Sequence, residues 1–196
     1  MARLAMIRGG AASAVVAGAC WVIKAVGILL TGAQPPLVFE AAFVLFPLAL
    51  VGLYAAIRGR GGRLALCGLV LAVAAEVSAV VVRLGELIGP AEWVPEEDTV
   101  TILTPFIVLG GFGTFVALLL LGIAVRQTRA LPGAWRSFPL SLAVAAVPLM
   151  VVGGVLEPFS ERLLEIPIVI LGVAWIALGV VLARHASVYQ TSPVES

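Results

Sequence analysis

Residues 21–40 read WVIKAVGILLTGAQPPLVFE. The stretch is almost wholly apolar, yet it holds Lys24 and closes on Glu40. Lys24 is the single lysine in a chain with eleven arginines. Around Gln34-Pro35-Pro36, one long apolar run ends and another begins. A bilayer core of about 30 Å is crossed by about 20 apolar residues of helix. Working outward, six such runs appear, at about 10–30, 37–57, 64–88, 100–125, 138–156 and 164–184. Backbone groups find no water in lipid, so these runs must bond internally as helices. The predicted fold is all-α, a polytopic membrane bundle of six transmembrane helices. Residues 1–186 form a single transmembrane domain, and 187–196 form a short cytoplasmic tail.

Composition agrees. Of 196 residues, 62% are hydrophobic and 12% charged, with mean hydropathy +1.16. A soluble domain carries about 25% charged residues, so too little polar surface is left for a water-soluble globule. Cys20 and Cys67 lie inside apolar runs without paired spacing and read as small buried apolar residues. One histidine, His185, makes a bis-histidine haem or a histidine-rich metal site implausible. The sequence holds no phosphate loop, no Gly-x-Ser-x-Gly elbow, no zinc-protease motif and no Cys-x-x-Cys. Ser78 has no histidine within its helix, and no basic and aromatic patch suggests nucleic acid. No catalytic residue, metal or cofactor is therefore assigned. At the N-terminus "AVVAGAC" loosely resembles a lipoprotein cleavage site. Ala17 fits that site poorly and the chain stays apolar after Cys20, so an uncleaved first helix is expected.

The arginines set the orientation. Arg3 and Arg8 precede the first span; Arg58, Arg60 and Arg63 lie between the second and third. Arg126, Arg129 and Arg136 lie between the fourth and fifth, and Arg184 ends the sixth. All nine fall on one side. Glu86, Glu92, Glu96, Glu97, Asp98, Glu157, Glu161 and Glu165 fall on the other, with Arg162. The positive-inside rule then predicts cytoplasmic termini and outward-facing acidic loops. The second helices of three in–out–in hairpins end alike, in "LVGLYAAIR", "LLGIAVR" and "LGVVLAR", and "LAVAA" recurs at 71–75 and 142–146. These echoes admit either a repeated hairpin or ordinary membrane composition.

Four ionisable residues lie within spans: Lys24, Glu40, Glu76 and Arg83. Each costs about 2.5–3.5 kcal/mol at the bilayer centre on insertion scales. Lys24 and Arg83 can extend toward the headgroups, and Glu40 sits near the interface. Glu76 falls near the middle of the third span, where its short side chain reaches neither surface. It must be protonated, paired or open to a wet cavity. Glu76, Arg83 and Glu86 lie within about 80° of one another on their helix. Lys24 shares a stripe with Ala14, Ala17 and Gly27, which suits close packing. If the first three spans pack together, Lys24 and Arg83 can neutralise Glu40 and Glu76 in an outward-facing pocket.

Other irregularities are weaker. Pro47 removes a donor and can kink the second span. "TILTPFIVLGGFGTF" (101–115) reads either as tight packing or as a hinge; Pro139, Pro148 and Gly153-Gly154 give the fifth span the same choice. In "LIGPAEWVPEEDTV" (87–100) Trp93 anchors at the interface, and the four acids read as solvated or as a loose cation site without calcium-loop spacing. "LEPFSERLLE" (156–165) spaces Glu157, Glu161 and Glu165 by four, an acidic helix face able to lie over the same pocket.

The pattern Trp21-x-x-Lys24, Thr31-Gly32-x-Gln34-Pro35-Pro36, Phe39-Glu40 resembles a signature of small six-helix bacterial membrane proteins of unknown function. It covers about a tenth of the chain; "LFPLALVGLYAAIRGR" is similar to the same group and less specific. The resemblance implies a bacterial inner-membrane setting and brings no activity.

The leading functional expectation is binding or transport of a small molecule or ion, with Glu76, Lys24, Arg83 and Glu40 as ligand-binding residues. The alternatives are a membrane-embedded enzyme acting on a lipid or isoprenoid, with Glu76 or Glu40 as general acid, and a non-catalytic subunit or scaffold. The expected partners are the lipid bilayer and that ligand, without nucleic acid; nothing in the sequence sets an oligomeric state.

Overall fold

A computed structural model describes residues 2–93, 99–156 and 158–191. Six long helices carry the chain: α1 (Ala2–Thr31), α2 (Val38–Ile57), α3 (Gly62–Ile88), α4 (Thr104–Thr128), α5 (Phe138–Leu156) and α6 (Glu165–Thr191). Short 3-10 turns at Ala91–Trp93, Gly133–Ser137 and Glu161–Leu164 complete it, and no strand occurs among the described residues. All six helices are long and apolar enough to cross a bilayer. The chain is a multi-pass integral membrane protein with the six-helix all-α fold.

The helices close into a ring in chain order, with α6 returning to α1. α2 also touches α4 and α6, so it is the innermost helix. The hairpins are unequal: α1 with α2 and α3 with α4 pack closely, whereas α6 leans mainly on α1. The outward faces are aliphatic. On α3, Leu66, Val70, Val73, Val77, Val80 and Leu84 recur at intervals of three and four and stand exposed to lipid. Cys67 lies on that surface, which corrects the expectation that both cysteines are buried.

Glycine permits the closest helix contacts. Gly10 of α1 meets Gly52 of α2 so tightly that a methyl on either would overlap the other's Cα. Gly18 meets Gly172 of α6, and a methyl on Gly179 would lie 2.6 Å from the Ala11 carbonyl oxygen. At Gly122 the opposing backbone belongs to Leu140 of α5. Gly52, Gly122 and Gly179 are the glycines of the three similar helix endings. Their shared feature is therefore a backbone crossing, where a side chain would prise the helices apart.

The helix ends differ from the sequence reading. α1 is already helical at Ala2, well ahead of its apolar run, and Arg3 is anchored there. Its Nε and Nη2 donate to the carbonyls of Ala55 and Ala56 at 2.9 and 3.0 Å. Those carbonyls close α2, where helical partners run out. α6 runs through Thr191, so residues 187–191 of the segment read as a tail are helical; residues 192–196 lie outside the described residues. α4 is unbroken from Thr104 to Thr128, with Pro105 in its first turn where no donor is needed. Gly110 lies under the Phe43 ring, and Gly113 against Leu71 and Ala75. Packing, not a hinge, explains those glycines. α5 likewise continues through Pro148.

Candidate functional site

At the acidic end of the bundle α6 begins on Glu165, which is 3% exposed. A carboxylate in a first turn faces the positive end of the helix dipole. Lys24 of α1, seven residues below the end of its helix, donates from Nζ to Glu165 Oε1 at 2.7 Å. Both side chains are nearly closed to the surface, at 11% and 5%. The sequence reading paired Lys24 with Glu40 or Glu76. The structure gives it Glu165 instead, because α6 lies against α1.

Arg83 of α3 forms an ion pair with Glu86 one turn above it, and its Nη1 stands 3.9 Å from Glu40 Oε1 of α2. Phe39 separates the two cations. Lys24 Nζ lies 5.9 Å from its ring centre and Arg83 Cζ 5.8 Å. Arg83 is also 5.8 Å from the Phe43 ring, which stacks on Phe39. Both distances suit attraction of a cation to a ring face. One continuous chain of contacts results: Glu165, Lys24, Phe39, Arg83, then Glu40 and Glu86. It joins α6, α1, α2 and α3. With two cations and three carboxylates, it leaves one net negative charge when all are ionised.

Beneath it lies an aromatic layer. Trp21 meets Phe46 edge-on at 4.7 Å, and Phe46 meets the buried Trp175 at 4.5 Å. Above it the turn after α1 is pinned. Thr31 Oγ1 donates to the Gly27 carbonyl at 2.8 Å and accepts from the Ala33 amide at 3.2 Å. Pro35 packs on Gly27, and the Arg162 guanidinium covers Gly32, which adopts φ +77°. The Thr-Gly-x-Gln-Pro-Pro pattern thus has a local meaning: Thr31 caps, Gly32 supplies a left-handed turn, and Pro35 folds back on α1.

Glu76 stands apart. It is seven residues below Arg83 on nearly the same stripe of α3, about 10 Å deeper at 1.5 Å per residue. No described ion pair includes it. Its Oε2 is buried and without a hydrogen-bond partner, as are Glu40 Oε2, Glu165 Oε2 and Arg83 Nε. Three such atoms lie in the cluster and the fourth, on Glu76, lies deeper; buried polar groups are nearly always paired. Of the expected residues, Lys24, Glu40 and Arg83 converge around Phe39, and Glu76 is not drawn into that cluster. Sequence reasoning left Glu165 at the helix mouth, although its four-residue spacing placed it over the site. Glu86 was set on the Arg83 face and is found there. Glu96, Glu97, Asp98 and Glu157, named as outer acids, lie outside the described residues. No group of three or more metal-ligating side chains forms among those described. The arrangement offers carboxylate acceptors and two cations in one cluster, with one further carboxylate deeper in the bundle.

No family model, curated protein or solved structure matches the chain.

Proposed function

We propose that the chain binds or transports a small molecule or ion, admitted from its acidic end. Lys24, Glu40 and Arg83, joined by Glu165 and Glu86, form the approach, and Glu76 is the deep carboxylate. The observation that carries this reading is the buried, unpartnered Oε2 of Glu76 halfway along a membrane helix. A lone carboxylate at that depth costs about 2.5–3.5 kcal/mol on insertion scales, and intramembrane acids line ion and solute paths. The arginine asymmetry supports cytoplasmic termini with the approach facing outward, and the Trp21–Glu40 resemblance supports a bacterial inner-membrane setting.

Glu76→Gln tests this directly. The variant preserves size and removes the charge. It should keep the parent's thermal stability yet lose solute-dependent stabilisation and uptake into proteoliposomes, screened with a metabolite extract read by mass spectrometry. Equal uptake by parent and variant overturns the role given to Glu76. A second reading, a non-catalytic membrane subunit, is favoured by the closure of the Lys24–Glu165 pair, which clasps α1 to α6 as a purely structural device would. Collapse of Glu76→Gln stability, with no solute ever shifting the parent, selects that reading.

A further inference from the structure

The opposite end of the bundle has a feature that the proposed solute site does not use. A cavity of about 480 Å³ opens between the α4–α5 connection and the last turns of α6. Arg129, Trp135, Arg184 and His185 line it, with Ala130, Pro132 and Val181. Arg129 ends α4 in a left-handed conformation, φ 50°, that turns the chain out of the helix. Trp135 sits in the 3-10 turn Gly133–Ser137, edge-on to Phe138 at 5.3 Å, and is 41% exposed.

Charge is the decisive observation. Residues 99–156 and 166–194, which supply every wall of the cavity, contain no Asp or Glu. Neither Arg129 nor Arg184 has a carboxylate partner among the described residues. Arg3 and Arg60 add their fields at His185. The whole arginine-rich end holds nine arginines, and its one acid, Glu195, lies outside the described residues. Two arginines lining one cavity, with no carboxylate among the described residues to meet them, suit it to an external anion. Arginine's planar fork matches phosphate oxygens in particular.

We infer that this cavity binds a phosphate oxyanion, and that its source is the headgroup of an anionic phospholipid in the adjacent leaflet. Arg129 and Arg184 hold the phosphate. Trp135, Pro132, Ala130 and Val181 supply an apolar wall for the glycerol and first acyl carbons. The tryptophan marks headgroup depth, where amphipathic rings collect. Basic pockets between transmembrane helices on the cytoplasmic side take up such headgroups. The inference is independent of the solute reading, since no residue is shared.

The test uses the full chain purified in neutral detergent. Thermal unfolding is followed while phosphatidylglycerol, phosphatidylcholine or inorganic phosphate is added. Phosphatidylglycerol should raise the midpoint by several degrees and phosphatidylcholine should not, because a bound ligand stabilises only the folded state. In Arg129→Gln/Arg184→Gln the half-saturating phosphatidylglycerol concentration should rise about tenfold or more. Arg58→Gln/Arg63→Gln, which removes two arginines at the same end but outside the cavity, should respond like the parent. If the glutamine variant does not fold, Arg129→Lys/Arg184→Lys keeps the charge, and its response should be weakened but present. A full shift from inorganic phosphate, with nothing added by lipid, supports the phosphate site and overturns the lipid as its source. Equal stabilisation by both lipids, or an unimpaired response of the double glutamine or lysine variant, overturns the site.

Discussion

Lys24 and Glu165 are 141 positions apart in the chain and 2.7 Å apart in space. Each alone would be an uncompensated charge between α1 and α6. Removing one partner of a buried pair costs about 3–5 kcal/mol, whereas replacing both with apolar groups is often neutral. Lys24→Met and Glu165→Met should therefore each lower stability by about that amount, and the double variant should recover most of it. Unfolding of the purified protein in detergent checks this; additive losses would show that the pair does not couple. Arg83 is more open, with a side chain 26% exposed and two carboxylates nearby. Glu40→Gln should cost no more than about 1 kcal/mol in the same assay, because Glu86 retains the guanidinium and exposed pairs contribute little.

At the scale of helices, packing turns on where two backbones cross. A methyl at Gly10 or Gly18 strikes the backbone of α2 or α6, which cannot yield as a flexible side chain does. Gly10→Ala and Gly18→Ala should each destabilise by about 1–3 kcal/mol, the usual range for overpacking. Gly111→Ala and Gly154→Ala meet nothing within 4 Å. They should be neutral or stabilising by up to about 1 kcal/mol, the helix propensity gained over glycine. Thermal midpoints of the four variants distinguish a glycine kept for contact from one that is not. The sequence could not separate them: Gly110 and Gly111 are neighbours, and only the position of the Phe43 ring puts one of them in close contact.

At the scale of the molecule, charge is sorted by end. Arginine crowds one rim, and the described acids other than Glu76 crowd the other. The orientation proposed from that asymmetry predicts a labelling pattern. With Cys20 and Cys67 replaced by serine, Pro90→Cys should react with a membrane-impermeant maleimide in intact cells, and Gly59→Cys only after lysis. The reverse pattern would invert the bundle and move the polar cluster to the inner side. The ring of helices also closes the cluster at its base, where Trp21, Phe46 and Trp175 meet.

The amino-acid sequence by itself determined the number of helices, their approximate limits and the separation of charge between the two ends. These follow from local quantities: about 20 apolar residues span a bilayer, and a lipid-exposed backbone must be helical. It also singled out Lys24, Glu40, Glu76 and Arg83, because an ionisable group in an apolar run is conspicuous without coordinates. Only the tertiary structure decided which groups meet. Lys24 found Glu165 rather than Glu40 or Glu76, Phe39 came to lie between the two cations, and α6 closed on α1. Pairing depends on which helices are neighbours and how each is rotated about its axis. Glycine crossings and aromatic packing far along the chain set those angles, and no local pattern in one span encodes them.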